Sequence, residues 1–328
     1  MKSPAGDTPS PQELIGQVPE FAGLARSATL LRPSAGAPGP HDSSVGGPFL
    51  WPSADPWPVC RAPRLVRRRE KLSDRDRELW QEADRRTKER RQARGGGAYE
   101  VTEEDARTQE RIMAGAGALD MVTWERIRTV SEPHDTPPPL IPVLQLFSRD
   151  VPGLPFPPGT DLLQLMWCPD DHAEPPGQPR YWGPDAGIMF RSSAAAGTDR
   201  ILEPPRPDEA KDGYVPAPCV LDPLGAVDLP EEDELPEELA ETALTWAEDH
   251  GADYARTLGC LPGWKAGGWP SWHLTDFVPL DCACGARMRL HLTLDSGGDP
   301  GLNVGRFGEL RVFVCPSDIT HPLRLNIQ

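Results

Sequence analysis

Leu163-Gln164-Leu165-Met166-Trp167-Cys168-Pro169-Asp170-Asp171 returns in the last twenty residues as Leu310-Arg311-Val312-Phe313-Val314-Cys315-Pro316-Ser317-Asp318. Each is a short apolar run of strand length that ends in Cys-Pro. The cysteine packs as a small hydrophobe, and proline, which has no N–H to donate, ends a ladder. Working outward from the two runs brings in further pairs. Gly46-Gly47-Pro48, Trp57-Pro58-Val59-Cys60 and Gln145-Leu146 lead to the first run. Gly267-Gly268-Trp269-Pro270, Val278-Pro279-Leu280-Asp281-Cys282 and His291-Leu292 lead to the second.

The intervals support the pairing. Gly46 to Cys60 is 14 positions and Gly267 to Cys282 is 15; Leu146 to Cys168 is 22 and Leu292 to Cys315 is 23. Only the middle interval differs, 86 from Cys60 to Leu146 against 10 from Cys282 to Leu292. The first copy therefore holds an insertion of about 76 residues, which a surface loop tolerates because closure entropy grows only logarithmically with length. The expected fold is α+β: internally duplicated and strand-rich, two pseudo-symmetric halves sharing a core, with a helical insertion in the first half.

The expected organisation is a disordered tail over 1–20, polar and rich in Pro and Ser, and a single duplicated domain over 21–328. Repeat one runs 28–172 with the basic insertion at about 61–136, a connecting region covers 173–258, and repeat two runs 259–328. From Arg61 to about Arg94 the pattern predicts a polar helix with a thin stripe of Leu65, Leu72, Leu79, Trp80 and Ala83, stopped by Gly95-Gly96-Gly97. Thr102 with Asp105 predicts the cap of a second helix reaching Met113. Residues 119–130 fit neither period. Glu237 to Leu258 predicts one amphipathic helix.

Composition narrows the function classes. Forty prolines and 31 glycines disfavour a helical bundle. The formal charge is −16, but Arg61–Arg94 carries 14 basic and 7 acidic side chains, so the rest stands at −23. Such an acidic body repels polyphosphate, and no nucleic-acid binding is expected of the main domain. Seven cysteines are too few and too scattered for a disulfide scaffold of this length. The opening Met1-Lys2-Ser3-Pro4 carries no signal pattern, and no apolar run nears the ~20 residues that cross a bilayer. The expectation is a cytoplasmic protein with no membrane partner.

Cys282-Ala283-Cys284-Gly285 is the leading metal candidate. Zinc takes four thiolate or imidazole ligands in a tetrahedron, usually from two pairs. Cys315 and His321, or Cys168 and His172, would complete the set; the plain alternative is thiols buried as small apolar side chains. Cys168-Pro169-Asp170-Asp171-His172 also has the residue types of a thiol nucleophile with its base, but adjacency in sequence supplies no oxyanion hole. Asp170-Asp171 and Glu231-Glu232-Asp233-Glu234 lack the spacing of a calcium loop. No phosphate-binding glycine motif is present. Around the second Gly-Gly turn, Gly267, Gly268, Trp269, Pro270 and Trp272, with Trp264 nearby, form a candidate groove for a ligand or a protein partner, or else a plug between the halves.

These motifs resemble the YwqG-like family of bacterial proteins, a domain of unknown function. The resemblance rests on Ser43-Ser44-Val45-Gly46-Gly47-Pro48, Gly267-Gly268-Trp269-Pro270-Ser271-Trp272, Cys282-Ala283-Cys284-Gly285 with Met288, and Gly308-Glu309-Leu310-Arg311-Val312-Phe313-Val314-Cys315. It implies an α+β fold with an internal repeat and brings no catalytic residues with it. A fainter likeness to the zinc-containing programmed cell death protein 2 group departs at the cysteines, which are Cys-x-Cys here rather than Cys-x-x-Cys. The reading that results is a non-enzymatic binding or protein-interaction domain with an unidentified protein partner. The alternative is a zinc-binding module, structural or catalytic, and a third is a cysteine hydrolase at Cys168 and His172.

Overall fold

A computed structural model describes residues 9–95, 101–196, 202–272 and 277–328. The chain is mixed helix and strand, and it divides into two compact units: residues 1–62 with 134–328, and residues 63–133.

The larger unit holds two six-stranded antiparallel sheets. One runs β2 (Ser34–Ala35), β10 (Cys219–Val220), β3 (Ser44–Val45), β7 (Ile141–Phe147), β8 (Leu162–Ala173) and β9 (Trp182–Arg191). The other runs β11 (Leu224–Asp228), β1 (Arg26–Leu30), β12 (Lys265–Gly267), β13 (Arg289–Asp295), β14 (Glu309–Val314) and β15 (Arg324–Ile327). The long apolar runs are β8 and β14, each fifth in its sheet. Leu163, Leu165 and Trp167 meet Leu292, Leu310 and Val312 in one apolar core shared by both sheets.

Registers correspond strand by strand. Val45 lies opposite Leu144 as Ala266 lies opposite Leu292. Leu144 pairs with Leu165 as Leu292 pairs with Val312, and the ladder breaks beside Val143 in β7 and beside His291 in β13. Leu292 thus matches Leu144 rather than Leu146, two positions from the match the intervals suggested. The ladders also move a boundary. Arg26–Leu30, expected with repeat one, pairs with β12 and β11, while Cys219–Val220 of the connecting region pairs with β3. The chain changes sheets between β1 and β2 and again between β10 and β11.

Residues 1–20 are not all loose tail. Pro11–Gln17 forms helix α1, whose Ser10 and Glu13 exchange the two hydrogen bonds of a capping box. Leu14 and Phe21 are buried with Trp246, Ala247 and Tyr254, and that burial outweighs the polar composition. Residues 1–8 lie outside the described residues. The single helix expected over 237–258 is two, α5 (Glu237–Asp249) and α6 (Tyr254–Thr257), because Gly251 between them has a φ of 70° that a continuing helix excludes. Between β9 and β10 lies the one-turn helix α4 (Ser193–Ala196).

The smaller unit corrects the helix expected from Arg61 and resolves the stretch over 119–130 that fitted neither period. Arg64–Lys71 is strand β4, paired over its full length with β6 (Glu125–Glu132), which also pairs with β5 (Ala118–Asp120). Carboxylates across the ladder take up the arginines: Arg68 with Glu132, Arg69 with Asp120 and Glu125, Arg126 with Glu70. Alternation along a strand thus accommodates a basic run that composition alone assigned to a helix. Ser73 then caps α2 (Asp74–Ala93), and Thr102 caps α3 (Glu103–Met113) as expected. Gly95 follows α2; Gly96 and Gly97 lie outside the described residues. No helix among the described residues is long and apolar enough to cross a membrane.

Candidate metal centres

Two groups of four Cys and His side chains converge, and within each group the ligand atoms all lie within 4.8 Å of one another. The second group is Cys282, Cys284, Cys315 and His321, the combination assembled from sequence. The first is Cys60, His134, Cys168 and His172.

The second group forms where two loops meet beside β14. Asp281 and Arg287 bridge the base of a tight turn in which the Cys282 N–H donates to the Ala286 carbonyl at 2.9 Å. This directs both thiols of Cys282-Ala283-Cys284 to one side. Cys315 follows directly on β14, and the Asp318–His321 turn brings the imidazole back. Cys282 Sγ lies 3.4 Å from His321 Nδ1, and Cys284 Sγ lies 3.5 Å from Cys315 Sγ. A tetrahedron with Zn–S of ~2.3 Å and Zn–N of ~2.0–2.1 Å has edges of about 3.3–3.8 Å, so these separations fit a central zinc. Burial raises the Cys315 thiol, but the amides of Asp318 and Ser317 together with His321 prevail and hold it below the ordinary range. His321 is raised, first by Cys315 and then by Cys282.

The first group uses the irregularity in β8. Opposite β9 the register jumps from Trp167 to Asp171, and this turns both Cys168 and His172 into the same site. Cys60 is fixed by its N–H donating to Pro138 O at 2.8 Å, and the Leu140 N–H donates to Pro58 O at 3.0 Å. The two points between which the smaller unit is inserted are therefore laced together, with Cys60 on one side and His134 on the other. Cys60 Sγ lies 3.5 Å from His172 Nε2. Cys60 is held well below the usual thiol range, first by a hydrogen bond from Cys168 and then by His172, while Cys168 is raised by that same bond and by burial. The His134 side chain is 6% exposed; its Nδ1 faces Asp170 at 3.7 Å, and its Nε2 is buried without a hydrogen-bond partner among the described residues. Its ring nitrogen joins two thiols and a second imidazole in a group that could hold a metal ion.

The groups share an outer shell. Asp170 stands behind His134 at 3.7 Å and Asp318 behind His321 at 3.7 Å, each on the segment that follows the Cys-Pro. A carboxylate on the far ring nitrogen is the usual orienter of a metal-binding histidine. Cys168 lies at the register break inside β8, which runs on through Pro169 to Ala173, and Cys315 lies directly after β14; each follows the apolar run of its strand. What differs is access: Cys60, Cys168 and His172 are buried, whereas Cys284 is exposed.

Cys168 and His172, weighed above as extra ligands or as nucleophile and base, belong to the first group. Cys168 is 0% exposed, whereas a nucleophile must be reached by its substrate. Cys60 and His134 were missed as ligands because 73 intervening residues hide their proximity; the signal lay in the matching of Cys60 with Cys282, which makes the end of the insertion the place to look for a partner. Of the groove candidates, Gly267 and Gly268 line a cavity of about 550 Å3, and Trp269, Pro270 and Trp272 line another of about 350 Å3. The indoles are largely buried, their N–H groups bonded to Leu24 O for Trp269 and to Glu234 for Trp272. Glu231, set aside as a calcium ligand, accepts the Trp272 amide.

No protein-family model matches the chain, and no curated protein matches it.

Proposed function

We propose that this chain is a non-enzymatic binding protein of the YwqG-like type, an internally duplicated scaffold in which each half is locked by one structural zinc ion. The observation that carries the reading is the pair of four-ligand sets, one beside the fifth strand of each six-stranded sheet. Four protein ligands leave zinc no open position for water or substrate, which is the arrangement of structural rather than catalytic sites. The matching strand orders, registers and ladder breaks support the duplication. The strand exchange at β1 and β10 supports it further, since each half lends a strand to the other's sheet. Seven cysteines outside any disulfide suit a reducing compartment, where thiolates persist as metal ligands; this favours the cytoplasm. The duplicated frame then presents its cavities to a protein partner or small ligand.

Extraction with a strong zinc chelator tests the structural role. The larger unit is expected to lose more than about 10 °C in Tm, since a lost stabilisation of several kcal/mol shifts a domain of this size by roughly 2–4 °C per kcal/mol. Adding zinc back restores the transition. An unchanged Tm after verified chelation removes the reading.

A further inference from the structure

We propose that the cavity at the second Gly-Gly turn is a binding site for a compact anionic ligand, a carboxylate or phosphate compound, recognised by Arg26, Arg289 and His291. The cavity, about 550 Å3, is walled by the start of β1, the Gly267-Gly268 turn, the start of β13 and the segment after β14. Arg26 enters from β1. Its guanidinium sits 3.1 Å from the Trp269 ring centroid and donates to Gly268 O at 3.3 Å, so its direct contacts are neutral, and the Glu234 and Asp228 carboxylates act on it only from beyond ion-pair distance. Arg289 enters from β13. Neither arginine has an ion-pair partner among the described residues, in a chain with 50 carboxylates for 34 cations. Burial, and then the charge of Arg289, depress Arg26 to about 10. Two guanidinium groups facing one cavity repel, and an anion between them relieves that cost.

His291 adds a neutral polar group. It is 0% exposed, and neither ring nitrogen has a hydrogen-bond partner among the described residues; burial lowers it to about 3. Two acidic groups line the cavity and both are committed elsewhere: Asp318 accepts the Thr320 amide and hydroxyl at 2.9 and 2.7 Å and faces His321, and the Cys315 thiol belongs to the second Cys/His group.

The other sheet shows that the fold does not require these three residues. Gly46-Gly47 also opens onto a cavity, of about 500 Å3. Ala28 opposes Gly267, and Cys219 opposes Val45, which puts Pro216 at the position of Arg26. Ile141 pairs with Trp167 as Arg289 pairs with Val314, and Val143 sits at the ladder break where His291 does. One sheet builds this corner from Pro, Ile and Val; the other places two cations and an imidazole on the same positions. The inference needs zinc in neither Cys/His group.

The test is isothermal titration calorimetry of the full chain at low ionic strength, with inorganic phosphate and with succinate as probes. Binding of at least one is expected, weakened about tenfold or more by Arg289→Gln, the loss typical of a charge-assisted hydrogen bond. His291→Val, which copies the other sheet, weakens it while keeping the unfolding midpoint. Arg206→Gln, a change in the lining of the cavity at Gly46-Gly47, leaves affinity unchanged. Phosphate alone or succinate alone assigns the ligand to the phosphoryl or the carboxylate class. No heat with either probe up to about 10 mM, a limit already weaker than most specific sites, overturns the proposal, as does an Arg289→Gln chain that binds like the wild type. Arg26 is left intact because its packing on Trp269 ties it to folding.

Discussion

Asp228 ties three neighbouring groups of the larger unit together. Fully buried, it accepts the Leu261 and Trp269 amides at 2.7 Å each and the Lys265 ammonium at 2.9 Å. Lys265, itself 1% exposed, reaches Cys260 Sγ at 3.0 Å, so one carboxylate satisfies two loop amides and a buried cation. Asp228→Ala leaves that cation unpaired and is expected to cost about 3–5 kcal/mol, read as a lower urea midpoint for the larger unit; a loss under about 1 kcal/mol contradicts the assignment. Sequence gave no hint of this group, because a lone Asp and Lys 37 positions apart carry no period or motif. Cysteine was more legible. The Cys282, Cys284, Cys315 and His321 set could be assembled from residue type and the Cys-x-Cys turn, since a metal site depends on chemistry that side chains advertise.

At the scale of elements, the Gly-Gly turns are what the sequence revealed best. Gly267 has a φ of 75°, and a Cβ there would lie 2.9 Å from Ser27 O; Gly46 has a φ of 61°, and a Cβ would lie 2.8 Å from Ala217 O. Both obstacles are backbone, of β1 for Gly267 and of the segment leading into β10 for Gly46, and cannot swing aside. Gly267→Ala and Gly46→Ala are each expected to destabilise by about 2 kcal/mol or more, combining a left-handed conformation with a main-chain clash. Denaturant titration of both variants checks this, and a neutral result at either contradicts the close approach. Elements whose pairing is long-range read less well. Arg64–Lys71 looked helical because its ladder partner lies about sixty residues on, and only the cross-strand carboxylates of β6 and β5 show why eight mostly charged residues run extended.

On the scale of the molecule, the intervals located the insertion but not its independence. Residues 63–133 form a compact unit of their own, and the chain on either side is stitched by Cys60 to Pro138 and by Leu140 to Pro58. Replacing 63–133 by a short Gly-Ser linker is expected to leave the larger unit folded, because both six-stranded sheets and their shared core are built from residues outside that segment. A truncated chain without a cooperative transition contradicts that division. The strand exchange at β1 and β10 was hidden because spacing reports order along the chain and not which sheet a strand joins.

One structural zinc beside each six-stranded sheet, as proposed, fixes the metal content of the protein. Elemental analysis of the purified full chain is predicted to give two zinc ions, one for each four-ligand group. Cys282→Ser and Cys60→Ser should each retain one, and the double variant none. Folded wild-type protein purified without chelator and free of zinc, or a content that neither substitution lowers, contradicts it.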